Sequence, residues 1–273
     1  MKSPEGQEYK TIPVANRAFR VFTDFVTKPF FKVKVTNPDG LSRARELAKQ
    51  GYGNLFVGNH LSLGDPPREI ITITNDPVLQ DREMLTPFGI QQIKFGYRTL
   101  ARMMGITICP LVNDDTLKYI AEHPKKAPKF QHALTKEGSA ELLSGYLIKQ
   151  TPRVLREGGS VLLYPQGGRR SYLENLSNAF STLINRTTRY GVDKFAITFM
   201  GIGMKDTETY EDETIKGLNI GSCYELKMEG TLTKEDFIKE AKQRGLTLDQ
   251  LALEKLGLVV PPAYRPRNLA LLH

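Results

Sequence analysis

The chain has 273 residues, with 38 Lys and Arg against 30 Asp and Glu, for a formal charge of +8. Hydrophobic residues make up 40% and charged residues 25%, a globular composition on a chain long enough for a large core. No run approaches the ~18–20 apolar residues of a membrane-spanning helix, and the start, MKSPEGQEYK, lacks an apolar signal core. Export by that route is therefore not expected. Cys109 and Cys223 are too few for a disulfide scaffold and have no metal-ligand spacing, so a reduced, cytoplasmic protein with buried thiols is expected. The charge leaves three partner classes: nucleic acid, an anionic membrane surface, and phosphorylated substrates or acidic carrier proteins.

The first dozen residues are polar and are read as loose. From Pro13 to Phe25, apolar residues recur at helical spacing, with Arg17, Arg20 and Asp24 between them. Pro29 ends that helix, and Phe31, Val33 and Val35 alternate with Lys32 and Lys34 as in a strand. Asn37 to Gly40 is a turn, and Leu41 to Gln50 a helix closed by Gly51. The apolar run 55–58 enters Asn59 and His60 directly. Helical patterns follow at 66–75 and 90–104, a strand at 106–112 and a long helix at 137–156. A strand at 160–164, a helix at 179–190 and a strand at 195–201 come next. Residues 123–129 read as an exposed basic loop, and 205–218 as an acidic loop.

The tail carries a strand near 223–228, a helix opened by Thr233 with Asp236 in capping position, and a helix near 247–256. Strands alternating with helices predict an α/β fold with a mostly parallel central sheet. Three units are expected: an N-terminal helix-strand-helix extension (1–50), a core (51–222), and a C-terminal strand with helices packed on it (223–273).

Two strand ends carry candidate chemistry. The first is NHLSLGDP at 59–66. A His at the carboxyl end of a strand lies where open α/β sheets place ligands. Asp65, returning after a tight loop, could hydrogen-bond the imidazole so that His60 acts as a general base. That spacing alone arises by chance in about one sequence of this composition in six. Asp65 before Pro66 is equally suited to capping a helix, with His60 an interior side chain. The second is YPQGGRRS at 164–171: Gly167 and Gly168 allow close backbone approach, and Arg169 and Arg170 suit a phosphate. A glycine turn with solvated arginines fits the same residues.

Together these blocks resemble the glycerolipid acyltransferase superfamily, the PlsC-like enzymes. NHLSLGDP is similar to its NHxxxxDP block, and YPQGGR falls where the superfamily carries FPEGTRS. The Gly-Gly-Arg form is closer to the PSGGRD block of soluble, plastid-type glycerol-3-phosphate acyltransferases. The resemblance covers residues 14–203 and leaves the tail unexplained. It departs in four places. Gln166 stands for the usual Glu. The middle block lacks its arginine, with Lys94, Arg98 and Arg102 as substitutes or a solvated helix face. The later block at 197–200 lacks its proline, and 113–139 looks inserted.

The resemblance implies an O-acyltransferase with no metal or bound cofactor, using acyl-CoA or acyl-carrier protein as donor. A phosphate-bearing acceptor, glycerol 3-phosphate or a lysophospholipid, is implied as well. His60 and Asp65 would be catalytic, with Ser62 and nearby backbone N–H groups steadying the oxyanion. Gln166, Gly167, Gly168, Arg169 and Arg170 would bind the acceptor.

Residues 14–34 offer a peripheral membrane contact on the inner face, with Arg17, Arg20, Lys28, Lys32 and Lys34 near head groups; packing of that helix on the core is the alternative. Two other readings stand beside catalysis. One is a lipid-binding or regulatory protein on the same fold, marked by Gln166. The other is a helix-turn-helix at 241–251, disfavoured because its second helix exposes Asp249, Gln250 and Glu254 with only Lys255 positive, so no nucleic-acid partner is expected.

Overall fold

The computed structural model describes residues 11–93, 97–174, 176, 178–207, 210 and 217–265. The amphipathic stretch at the start forms helix α1 (Val14–Thr27), and the Lys/Val alternation forms strand β1 (Val33–Val35). Helix α2 (Ser42–Lys49) stops where Gly51 takes a positive φ of 99°. Strand β2 (Gly53–Gly58) is buried throughout and leads into α3 (Asp65–Thr74), which opens with two prolines.

Strand β3 (Met84–Gly89), helix α4 (Tyr97–Met103) and strand β4 (Ile106–Leu111) follow. β3 is invisible to the apolar pattern because Pro87 interrupts it. The structure tolerates that proline because β3 pairs with the next strand inward only through Met84 and Leu85.

Residues 113–139, read as a loop-bearing insertion, are largely helical: α5 (Asp114–Glu122), a 3-10 turn (Pro124–Phe130), α6 (Gln131–Leu134) and the start of α7 (Lys136–Ser144). Asn113 and Thr116 cap α5 reciprocally, with Asn113 accepting from the Thr116 N–H at 3.0 Å. The basic residues of 123–129 remain exposed, but on a wound segment rather than a loop. A π-helical turn (Gly145–Gln150) joins α7 to α8 (Thr151–Arg156). Strand β5 (Ser160–Leu163), helix α9 (Ala179–Arg189), strands β6 (Phe195–Met204) and β7 (Tyr224–Thr233), and helices α10 (Lys234–Gln243) and α11 (Leu248–Val259) complete the chain. Within 205–218, residues 208–209 and 211–216 lie outside the described set.

The strands form one seven-stranded sheet in the order β1-β7-β6-β2-β5-β3-β4. All neighbours are parallel except β6 and β7. The fold is thus α/β with a mostly parallel sheet flanked by helices. β1 and β7, from opposite ends of the chain, pair with each other at one edge of that same sheet.

β2 is central, with β5 and β6 on either side, and its side chains from Leu55 to Val57 are fully buried. Such two-sided burial is why this strand reads as a continuous apolar run rather than an alternation. Among the described residues, no helix is long and apolar enough to cross a membrane.

Candidate active site

Sheet topology brings the two sequence blocks together. β2 and β5 are adjacent and parallel, in register from Asn54 opposite Ser160 to Val57 opposite Leu163. The loops that leave their carboxyl ends therefore open on the same edge, where α/β sheets place ligands. Two contacts join the loops directly. The backbone N–H of Arg170 donates to the His60 carbonyl at 2.9 Å, and the rings of His60 and Tyr164 stack at 4.6 Å between centroids.

Asn59 fixes where this loop starts. It is fully buried and exchanges two hydrogen bonds with the Ile202 backbone of β6, at 2.8 and 2.9 Å. His60 comes next, with its side chain 12% exposed, so the imidazole is recessed but not sealed. Its Nδ1 is buried without a hydrogen-bond partner, which leaves Nε2 as the nitrogen available to a ligand.

Asp65 departs from both sequence readings. It is the first residue of α3 rather than its cap, and its carboxylate turns back into the loop. There it accepts from the N–H groups of Leu61 and Ser62, both at 2.6 Å, and from the Ser62 hydroxyl at 2.7 Å. The separation from His60 Nδ1 is 3.5 Å, longer than a direct hydrogen bond. Asp65 thus shapes the loop that presents His60 and lies beside the imidazole as a nearby charge.

The geometry corrects the expectation for Ser62. Its side chain is fully buried, its hydroxyl is spent on Asp65, and the Tyr224 hydroxyl approaches it at 3.1 Å from behind. It holds the loop and does not offer itself to an oxyanion. Arg170 is corrected in the same way. Its guanidinium pairs with Asp114 at 2.8 Å and Glu174 at 3.2 Å, so it ties α5 to the second loop instead of presenting itself to a phosphate.

Gln166 is nearly buried. Its amide oxygen accepts from the Tyr264 hydroxyl at 3.0 Å, and its Nε2 donates to the Tyr172 carbonyl at 3.3 Å. A glutamate could not make the second bond, which explains why an amide suits this position. Gly167 has φ 75° and open space around it, whereas Gly168 is buried; Arg169 is half-buried. Of the substitutes for the missing middle arginine, Arg98 and Arg102 are exposed on α4, and Lys94 lies outside the described residues.

Two side chains of the site, Glu69 and Arg68, go unnoticed in a motif search. Glu69, one turn beyond Asp65 on α3, is fully buried and accepts a hydrogen bond from the Tyr164 hydroxyl. Burial, then the neighbouring Asp65, push its carboxyl well above the ordinary glutamate range, while the bond from Tyr164 pulls the other way. Burial also raises the Tyr164 phenol, with Glu69 adding to it. Arg68 is fully buried too, with its guanidinium over the Tyr224 ring at 3.9 Å and donating to the carbonyls of Gly64 (2.8 Å) and Asn219 (2.7 Å). The i, i+4 spacing of Asp65 and Glu69 was the one available signal, since it puts both carboxyls on one helix face.

The N-terminal helix divides its residues differently from either expectation. Arg20 is buried and donates to the carbonyls of Met104 at 2.6 Å and Gln80 at 2.7 Å, and Arg17 pairs with Asp81 at 2.8 Å. Both anchor the helix rather than face head groups. Phe22, Phe25 and Val26 are nevertheless exposed, Phe25 by 79%, so this apolar face is not packed on the core.

At the other end of the chain, Arg244 pairs with Glu254 at 2.6 Å and Lys255 with Glu240 at 2.7 Å, so positive charges of α10–α11 are locally compensated. The thiols separate: Cys109 is buried, whereas Cys223, just before β7, is exposed. Comparison with protein-family models and with curated proteins gives no match.

Proposed function

We propose that the chain is an O-acyltransferase that moves a fatty acyl group from acyl-CoA or acyl-carrier protein to a hydroxyl of glycerol 3-phosphate or a lysophospholipid. The observation that carries this reading is the junction of the two blocks at the ends of β2 and β5, bonded from Arg170 N–H to His60 carbonyl. A recessed imidazole with one nitrogen open to a ligand suits a general base. In the proposed step, His60 Nε2 takes the proton of the acceptor hydroxyl while that oxygen bonds to the thioester carbonyl carbon. The tetrahedral intermediate then expels the thiolate, which recovers the proton from the imidazolium. The products are an ester and a free thiol.

Asp65 holds the loop that presents the imidazole and lies 3.5 Å from its Nδ1. Gly167, Gly168 and Arg169 are assigned to the acceptor by the motif resemblance and by their place in the loop bonded to His60. Gln166 braces this loop through bonds on both its amide atoms, which supports a built catalytic loop rather than a degenerate one.

The reading includes peripheral attachment to a membrane from the cytoplasmic side. Phe22, Phe25, Val26 and Phe30 are exposed together with Leu218 and Ile220, and the Gly221 N–H bonds the Phe30 carbonyl at 2.9 Å, so the two segments adjoin. Exposed Lys28, Lys32 and Lys34 lie alongside in the chain. A rimmed apolar patch with adjacent cations suits an anionic lipid surface.

His60→Ala tests the reaction, assayed by thiol release and product mass with several acyl thioesters and phosphate-bearing acceptors. Transfer should fall by about 10²–10⁴-fold with an unchanged melting temperature. Undiminished transfer would reject His60 as the base, and no transfer by the unmodified chain with any pair would reject the acyltransferase reading.

A further inference from the structure

The contacts around His60 leave its orientation unexplained by Asp65 alone. Nδ1 has no hydrogen bond, and the carboxylate oxygen it faces, 3.5 Å away, is already bonded to two backbone N–H groups of the loop. The ring instead lies nearly parallel to Tyr164, at 24° between planes and 4.6 Å between centroids. Tyr164 is held at both ends: its backbone follows β5 directly, and its hydroxyl donates to Glu69 on α3. Glu69 is closely packed in turn. A β-carbon on Gly58 would come within 2.9 Å of its second oxygen, Oε1, so only glycine leaves that carboxyl its place at the end of β2. Oε1 itself is buried and has no hydrogen-bond partner.

We propose that Tyr164 and Glu69 form a positioning pair for His60: the phenol ring sets the plane of the imidazole, and the Glu69 carboxyl pins the phenol. Asp65 then shapes the loop that carries the imidazole, and the Tyr164–Glu69 pair sets the plane of its ring. The pair explains why a tyrosine stands where the resembling family has phenylalanine, since only a hydroxyl reaches the α3 carboxyl. The kinetic arm of the test rests on the acyl-transfer reading; the spectroscopic arm does not.

The full chain is studied by proton NMR, with the His60 ring signals identified by their loss in His60→Gln. A stacked phenol shifts those protons upfield. In Tyr164→Leu the upfield displacement should vanish. In Tyr164→Phe and Glu69→Leu, which leave a ring but remove the pin, it should shrink, and in Glu69→Gln, which keeps an acceptor oxygen, it should persist. If the chain transfers acyl groups, kcat in Tyr164→Leu should fall roughly 10–100-fold with the KM for the acceptor little changed, and Glu69→Gln should rescue most of the loss seen in Glu69→Leu.

His60 signals at ordinary positions in the unmodified protein would overturn the proposal, as would signals unchanged in every folded variant. If Tyr164→Leu does not fold, the contrast between Glu69→Leu and Glu69→Gln decides. A chain with no transfer activity but with the predicted shifts would defeat the reaction and leave the positioning pair standing.

Discussion

Replacing Glu69 by glutamine should make the protein's stability less dependent on pH. The Glu69 carboxyl is fully buried, and burial, followed by the negative neighbour Asp65, raises its pKa well above the ordinary value. In the unfolded chain the same group ionises near pH 4.3. Above that pH the folded protein therefore holds up to one proton more than the unfolded chain does. Stability falls as pH rises wherever the native state binds more protons, here by about 1.4 kcal/mol per pH unit for one group. The contribution is complete below the unfolded pKa and is lost as pH climbs toward the raised, folded one. Glutamine cannot titrate, and its oxygen can still accept from Tyr164.

The stability of Glu69→Gln relative to the unmodified chain should thus rise with pH above the unfolded pKa, by up to about 1.4 kcal/mol per pH unit, until the folded carboxyl itself ionises. For a chain of this size the shift is about 2–3 °C in melting temperature per pH unit. Paired urea unfolding curves at half-unit pH steps would measure it. Asp65→Asn, which removes the second cause of the raised pKa, should narrow the pH range over which the slope persists. Parallel pH profiles for the unmodified chain and Glu69→Gln would refute the account, because they would mean that Glu69 binds its proton equally in both states.

Other outcomes follow from the same geometry. Phe22→Glu with Phe25→Glu should abolish flotation with vesicles containing anionic lipid while leaving the melting temperature within about 1 °C, since both rings already face solvent. Equal flotation of the double variant would remove the membrane contact from α1. Arg20→Ala should destabilise the fold by about 2–3 kcal/mol, because it empties a buried side-chain site and deprives the part-buried Met104 and Gln80 carbonyls of their donor; denaturant melts would show it, and a loss below about 1 kcal/mol would contradict that role. A thiol reagent at pH 8 should label Cys223 and spare Cys109, whose pKa burial pushes up to about 11, until denaturant is added. Rapid labelling of both thiols in the native protein would contradict the burial.

The α/β class, nearly every helix and six of the seven strands were legible from local pattern. Helical periodicity marks α1 and α9, and turn chemistry marks the breaks at Gly51 and at Thr233, whose side chain accepts from the Asp236 N–H. These are features a residue imposes on its neighbours through φ, capping or spacing. The strand β3 escaped because Pro87 breaks its pattern, and the ladder gap that tolerates the proline exists only in the assembled sheet. Helix α5 escaped because its cap pairs Asn113 with a threonine rather than the Glu or Gln of the familiar signature.

For the site, the chain itself determined that a histidine and a glycine-arginine loop end two strands. Tertiary structure alone decided that those strands are neighbours: a parallel ladder sets Leu55 opposite Val161, 106 positions further along the chain. It also decided which polar groups are spent. Asp65 is taken by its own loop, Ser62 by Asp65, and Arg170 by Asp114 and Glu174. The reason is physical: hydrogen-bond valence and burial belong to the packed state. A residue type announces what chemistry it could do, but only its neighbours in space determine whether its donors and acceptors remain open to a ligand.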